Sequence, residues 1–156
     1  MNMQPVHSQQ DSGLTLEEML EGFASLRFAV LATSDNGAPY TSLIAFALTP
    51  DHSKLIFATP KATSKYENII NQPAVSILID NRSQEAEDIH KAQAVTLLGT
   101  AAEVSTPEQK ESFLAVLVTR HPELAAFIDE PETSLIAVTI QQAVHVARFQ
   151  NVSRWP

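Results

Sequence analysis

The sequence predicts a mainly β fold of the α+β class, a small barrel of antiparallel strands with helices packed against it. Three observations predict it. About seven short runs rich in β-branched and aromatic residues follow one another, most joined by connections that suit antiparallel neighbours. Several of these runs are apolar on both faces, which suits a closed barrel better than an open sheet with one wet face. Gly99 interrupts the longest run, where a barrel strand needs a bulge or a sharp bend.

Taken in order, residues 1–13 are polar and read as a mobile tail, and residues 14–156 read as a single domain. Thr15-Leu-Glu-Glu18 has the form of a capping box, and Leu16, Met19, Leu20 and Phe23 fall on one helical stripe behind it. Phe28 to Thr33 and Pro39 to Leu48 are two strands joined by Ser34-Asp-Asn-Gly37. Asn-Gly between such runs predicts a hairpin, because both residues tolerate positive φ. Strands are also predicted over residues 54–59, 74–80, 94–104, 134–140 and 144–149. Helices are predicted after Thr63, after Thr106-Pro107 and over residues 122–128, and residues 84–92 read as a loop or short helix.

Composition bounds the function. With 44% hydrophobic and 18% charged residues the chain is globular, and no apolar run is long enough to cross a bilayer. A net charge of −8, from 18 acids and 10 bases, argues against a general nucleic-acid or anionic-membrane surface. The absence of cysteine excludes disulfides, thiolate nucleophiles and cysteine-based zinc sites. The start, MNMQPVHSQQDSG, lacks the basic end and apolar stretch of a signal peptide, so a cytoplasmic location is expected.

Catalytic signatures are absent. Only four glycines occur, with no Gly-x-Gly-x-x-Gly, no P-loop and no Gly-x-Ser-x-Gly. The histidines at 7, 52, 90, 121 and 145 show no metal-ligand spacing. His90 and His121 read as surface residues, and His145 as a packed or hydrogen-bonded strand residue. The stretch that asks for an explanation is LIFATPKATSKYENIINQP, residues 55–73, a strand, a polar turn and a helix stopped by Pro73. Lys61 and Lys65 sit at the start of that helix, where the macrodipole disfavours cations. A phosphate would account for them, bound by free N–H groups of the first turn, the hydroxyls of Thr59, Thr63 and Ser64, and the two ammonium groups. An ordinary solvated turn with Thr63 as N-cap is the alternative. Arg82 and Arg148 are further scarce cations, with surface salt bridges as their alternative role.

The hairpin VLATSDNGAPYTSLIAF, the segment FATPKATSKYENIINQPAVSILID and the strand AVTLLGTAAEV together resemble the pyridoxamine 5′-phosphate oxidase-like flavoproteins over about residues 15–105. The pattern Thr-x4-Ser-Lys-x2-Asn-x3-Gln-Pro-x-Val is the most specific part. The resemblance implies a split β-barrel that forms a homodimer and binds FMN at the subunit interface. It puts Thr59, Thr63, Ser64 and Lys65, with Lys61 nearby, at the FMN phosphate, and the backbone of Ser42, Leu43 and Ile44 along the isoalloxazine ring. It offers Arg148, Phe149, Gln150 and Trp155 as residues that complete a partner's flavin pocket, with Arg82 or Arg148 near the reduced ring.

The chain departs from that pattern in three places. Ser42 and Ser64 stand where true pyridoxamine phosphate oxidases have arginines, and Ser153-Arg-Trp-Pro156 only faintly echoes their Arg-Leu-x-Pro-like end. The resemblance therefore does not carry the vitamin-oxidising activity. Haem-degrading or haem-storing members are expected to carry an added C-terminal domain with a histidine ligand, for which this chain has no room. Two functions follow from the resemblance. One is an FMN-dependent oxidoreductase acting on an unidentified small molecule. The other is a flavin-binding protein that stores or senses FMN without turnover. F420 and haem are alternative cofactors that the resemblance leaves open.

Overall fold

The structure, a computed structural model, describes residues 13–148 and 151–156. It opens as the capping box requires. The Thr15 hydroxyl accepts from Glu18 N–H, Glu18 returns the bond to Thr15 N–H at 2.7 Å, and α1 runs from Leu16 to Glu21. Leu16, Met19 and Leu20 on α1 and Phe23 in the following turn are all buried. Each fully buried side chain of this size contributes about 2 kcal/mol of hydrophobic stabilisation.

The hairpin forms with a tighter turn than the four residues Ser34–Gly37. β1 (Phe28–Asp35) pairs with β2 (Ala38–Ala45) from Asp35↔Ala38 to Phe28↔Ala45, leaving Asn36 and Gly37 as the turn at φ 49° and 89°. The second predicted strand is broken by one residue. Phe46 points into the core, its N–H bonds to Arg27 C=O at 3.2 Å, and the chain resumes as β3 (Ala47–Leu48).

β4 (Lys54–Pro60), α2 (Ser64–Asn71), β5 (Ala74–Asp80), α3 (Asp88–Lys91) and β6 (Gln93–Glu103) follow in the predicted order. α4 (Pro107–Arg120) starts at Thr106, but the threonine hydroxyl bonds to the Gln109 side chain at 3.2 Å and not to a backbone N–H. A turn of 3-10 helix (Pro122–Leu124) and α5 (Ala125–Ile128) lead to the end of the sheet. There the expected pair of strands is one, β7 (Thr133–Ala147). Gln141 and Gln142, whose polarity reads as a break, stay in the strand. Leu98 faces Gln142 while Gly99 faces Ile140, so the extra residue is taken up as a bulge. A further strand, β8 (Asn151–Trp155), turns back along the lower half of β7, where the sequence had suggested only a tail.

The strands form one sheet in the order β2-β1-β5-β6-β7-β4-β3, with β8 on β7. Its two ends, β2 and β3, are the same stretch of chain on either side of Phe46, so the sheet curls back on itself as a split barrel. The inward side chains of β1, β4, β5, β6 and β7, among them Leu31, Phe57, Ile77, Ile79, Val95, Leu97 and Ile136, make one core with α1 and Ile69 of α2. A second, smaller cluster lies outside β3 and β4, where Leu117, Phe113 and Leu114 of α4 pack on Ala47, Ile56 and Leu135.

His121 is not a surface residue. It is 2% exposed, and its Nε2 lies 2.7 Å from the carbonyl of Phe46, the residue at which the sheet changes from β2 to β3. Its own N–H ends α4 on Leu117 C=O. His145 packs edge-to-face on Phe23, with ring centroids 5.8 Å apart, and contacts Gln93 at 3.2 Å. Burial pushes its pKa down. His90 is exposed, as expected. Among the described residues no helix is long and apolar enough to cross a membrane.

Two expectations follow. A Cβ at Gly99 would sit 2.3 Å from the Thr139 carbonyl oxygen, a backbone atom that cannot rotate away. Gly99→Ala should lower the unfolding free energy in urea by about 3 kcal/mol, and an unchanged midpoint would refute the close approach. In the β3–β4 turn, the Ser53 N–H and the Thr49 and Ser53 hydroxyls donate to Asp51 and draw its pKa from 3.8 down to about 2. Because the folded value is the lower one, the contribution is present above the unfolded value and is lost as pH falls through about 2. The group is exposed and screened, so the effect is small. The stability gap between wild type and Asp51→Asn should close over that acid range and stay constant above it.

Candidate functional site

The turn between β4 and α2 gathers Thr59, Lys61, Thr63, Ser64 and Lys65, as the sequence predicts. Thr63 is the N-cap of α2, in extended conformation, and its hydroxyl accepts from Tyr66 N–H at 3.3 Å. The Thr59 hydroxyl is buried and lies 2.9 Å from that of Thr63; each also meets the Pro60 carbonyl, at 3.1 and 2.9 Å. Both threonine hydroxyls are therefore occupied in shaping the turn. Ser64 is exposed, and its hydroxyl has no protein partner among the described residues. The N–H groups of Ser64 and Lys65, at the first two helical positions, have no intrahelical acceptor. Lys65 is half-buried and forms no ion pair among the described residues.

Lys61 behaves differently. Its N–H is tied to Glu132 C=O at 2.8 Å, and its Nζ lies 3.8 Å from Glu103. The same carboxylate accepts from the Tyr66 hydroxyl at 2.6 Å, which pushes the phenol pKa up. At that length and exposure the Lys61–Glu103 pair is weak, and a stronger anion can take the ammonium. Glu103 also sets a limit, because it repels an anion that comes too close. Sequence reasoning missed it: Glu103 ends β6, far along the chain, and only the sheet register and the seat of α2 bring it to the turn.

α2 is fastened over the barrel mouth by a buried polar contact. The Asn68 amide donates to the Thr33 hydroxyl at 3.0 Å, and Thr33 donates to Tyr40 C=O at 3.4 Å. Asn68 stands in the Thr-x4-Ser-Lys-x2-Asn pattern, so the signal for it was present. The contact ties the helix to both strands of the hairpin and fixes the turn relative to β2.

β2 supplies the other half of the site. In a hairpin closed by two residues Asp35 and Ala38 exchange hydrogen bonds, and alternation makes Val30↔Leu43 and Ala32↔Thr41 non-bonded pairs. The Phe46-to-Arg27 bond falls on the same alternation. The N–H and C=O groups of Thr41 and Leu43 therefore point away from β1, to an edge where no other described strand pairs with β2. Ser42 faces inward opposite Leu31, and its hydroxyl oxygen is buried without a partner among the described residues. Leu43 points outward, 67% exposed, and Ile44 is buried in the core.

The remaining candidates are not brought to this turn within the subunit. Arg82 lies beyond the far end of β5 from α2 and pairs with Asp80 at 3.0 Å. Arg148 is exposed at φ 50° in the connection between β7 and β8. Trp155 pairs with Ala143 and packs against its own barrel core. Phe149 and Gln150 lie outside the described residues.

The pattern of the pyridoxamine 5′-phosphate oxidase family matches residues 15–147, and the chain belongs to that family. No curated protein matches it. Among solved structures it is similar to a haem-binding protein from Mycobacterium smegmatis, at a TM-score of 0.80 and 20% identity over 91% of this chain and 58% of that one. The present chain thus spans little more than half of that protein. HutZ, the haem storage protein from Vibrio cholerae, superposes at 0.72 with 20% identity over 88% of this chain and 98% of its own. A FAD-binding protein from Mesorhizobium loti superposes at 0.67 with 16% identity over 85% and 94%. These likenesses show the split-barrel fold. HutZ is matched over nearly its whole length.

Removing the fastening should be costly. Asn68→Ala deletes the buried amide that satisfies Thr33, and should lower stability in urea by about 2 kcal/mol. A loss no larger than that of an exposed α2 substitution such as Glu67→Ala would show that the contact does not anchor the helix.

Proposed function

We propose that the chain is an FMN-binding flavoprotein that works as a homodimer and passes hydride between FMN and a small organic molecule. The observation that carries this is the pairing of an anion-receptive helix start with an open strand edge. The Ser64 and Lys65 N–H groups, the Ser64 hydroxyl and the Lys65 ammonium can converge on a phosphate. The unpaired backbone groups of Thr41 and Leu43 offer donors and acceptors suited to the polar edge of a flavin ring. The unpartnered Ser42 hydroxyl adds a further buried polar atom on that strand. FMN would supply the hydride-accepting ring; the chain's own residues would hold the phosphate, orient the ring and exclude water.

The dimer is supported by the outward face of β2, β1, β5 and β6. Phe28 is 57% exposed, Leu43 67%, Leu78 36% and Leu98 37%, and the register sets Leu43, Val30 and Leu78 side by side. An apolar face of this kind, rimmed by Asp80 and Arg82, suits a second copy of the chain. A partner docked there would bring its own Arg82, Arg148 and C-terminal strand toward the ring from the other subunit.

A second reading takes haem in place of flavin, and the two haem-named structures of the same fold favour it. The visible spectrum of the protein as purified separates the two. Flavin gives a pair of bands near 375 and 450 nm and releases FMN on heating; haem gives a Soret band, and F420 a single band near 420 nm. A colourless protein that takes up none of them overturns both readings. Lys65→Ala should raise the FMN dissociation constant roughly 30-fold, about 2 kcal/mol, while Lys61→Ala should have a smaller effect because Lys61 is shared with Glu103. Equal, negligible effects would put the phosphate elsewhere.

A further inference from the structure

A groove of about 550 Å³ runs between the β3–β4 turn and the C-terminal half of α4, lined by Leu48, Pro50, His52, Ala115, Val116 and Arg120 among others. It is remote from the anion-receptive turn. The groove includes His52, two residues before β4 starts at Lys54, and the turn follows Pro60 at the other end of that strand, roughly 20 Å away along an extended chain.

Two side chains in the groove have unmet hydrogen-bonding capacity. The Nδ1 of His52 and the Nε of Arg120 are both buried without a partner among the described residues. Buried polar atoms are as a rule paired, and an unmade bond to a charged group is the costlier kind. His52 is held there by backbone, at φ 58° with its N–H on Thr49 C=O. Arg120 ends α4, where the helix dipole favours a cation, and among the described residues no carboxylate lies within ion-pairing distance of it. Most of the rest of the lining is apolar, supplied by Ala24, Ala47, Leu48, Pro50, Ala115 and Val116, with the two threonines Thr49 and Thr119 beside them.

We infer that this groove binds a small carboxylate with an apolar body. The carboxylate accepts from the Arg120 guanidinium and, once a turn of the imidazole brings its Nδ1–H to the groove surface, from His52 in that tautomer. The direction of binding follows from the neighbouring hollow, which continues the groove past Val116 to Phe113 and Asp51. Asp51 is ionised there, its pKa held down by the bonds it accepts from Thr49 and Ser53, so the charged end stays at Arg120 and the apolar body extends toward Val116 and Phe113. The site needs no flavin and does not depend on the function proposed above.

Octanoate and octan-1-ol are the probes, titrated into the full-length protein as purified. Amide shifts at Ala115 and Val116 and the Nε–H signal of Arg120 are followed by NMR. Octanoate should move all three and bind at least tenfold more tightly than octanol. Arg120→Gln should reduce octanoate affinity at least tenfold and leave octanol unchanged. Ala115→Phe, which fills the groove from an exposed helix position, should abolish both and guards against a poorly folded Arg120 variant. The inference is overturned if octanoate shifts residues elsewhere, if it binds no better than octanol, or if a folded Arg120→Gln or Ala115→Phe variant binds it unchanged.

Discussion

The structure depends on one long strand serving three partners. β7 pairs with β6 along almost its whole length, with β4 over its first half and with β8 over its last. A straight ladder of 15 residues would project beyond a barrel of this size, so the strand must bend. The bulge opposite Leu98 and Gly99 supplies the bend, and it works only because Gly99 has no side chain to strike the Thr139 carbonyl. β4, and the turn that follows it, takes its position from the upper half of β7. The candidate site thus rests on a backbone contact well removed from it.

The opposite side of the barrel is held by different means. β2 and β3 cannot form one straight strand, because they belong to opposite ends of the sheet path. Phe46 makes the corner by burying its ring in the core while its backbone N–H and C=O are met by Arg27 and His121. A histidine with an ordinary surface signature, next to Pro122 after a helix, becomes the group that satisfies a buried carbonyl at the split. α4 is secured to the barrel by the same contact. The groove between α4 and the β3–β4 turn lies along this join.

The two candidate sites differ in how their charge is handled. At the β4–α2 turn the threonine hydroxyls are spent on the turn itself, so what remains for a ligand is backbone N–H, one serine, Lys65, which is unpaired among the described residues, and Lys61, which is shared with Glu103. Glu103 stands nearby and narrows the geometry in which an anion is welcome. In the α4 groove the donors are unmatched among the described residues, and the nearest acid, Asp51, stands in the adjoining hollow, where it is held by Thr49 and Ser53. The first arrangement suits a phosphate held at a fixed distance; the second suits a carboxylate drawn into an apolar channel.

Much of this was legible in the residues. The capping box at Thr15, the Asn36-Gly37 turn, the Thr63 cap, the stop at Pro73 and the bend at Gly99 are local, because each rests on a few neighbouring φ values or a single missing side chain. The Thr59-to-Lys65 turn could be named for the same reason, its residues being close in sequence. What tertiary structure alone decided are relations between distant segments: the union of two expected strands into β7, the pairing of β8, the burial of His121, the approach of Glu103 to Lys61 and Tyr66, and the placing of His52 and Arg120 in one groove. Local propensity and periodicity specify conformation over one or two turns. The choice of neighbour depends on how one closed sheet distributes its hydrogen bonds and apolar faces, and no single stretch of the chain carries that information.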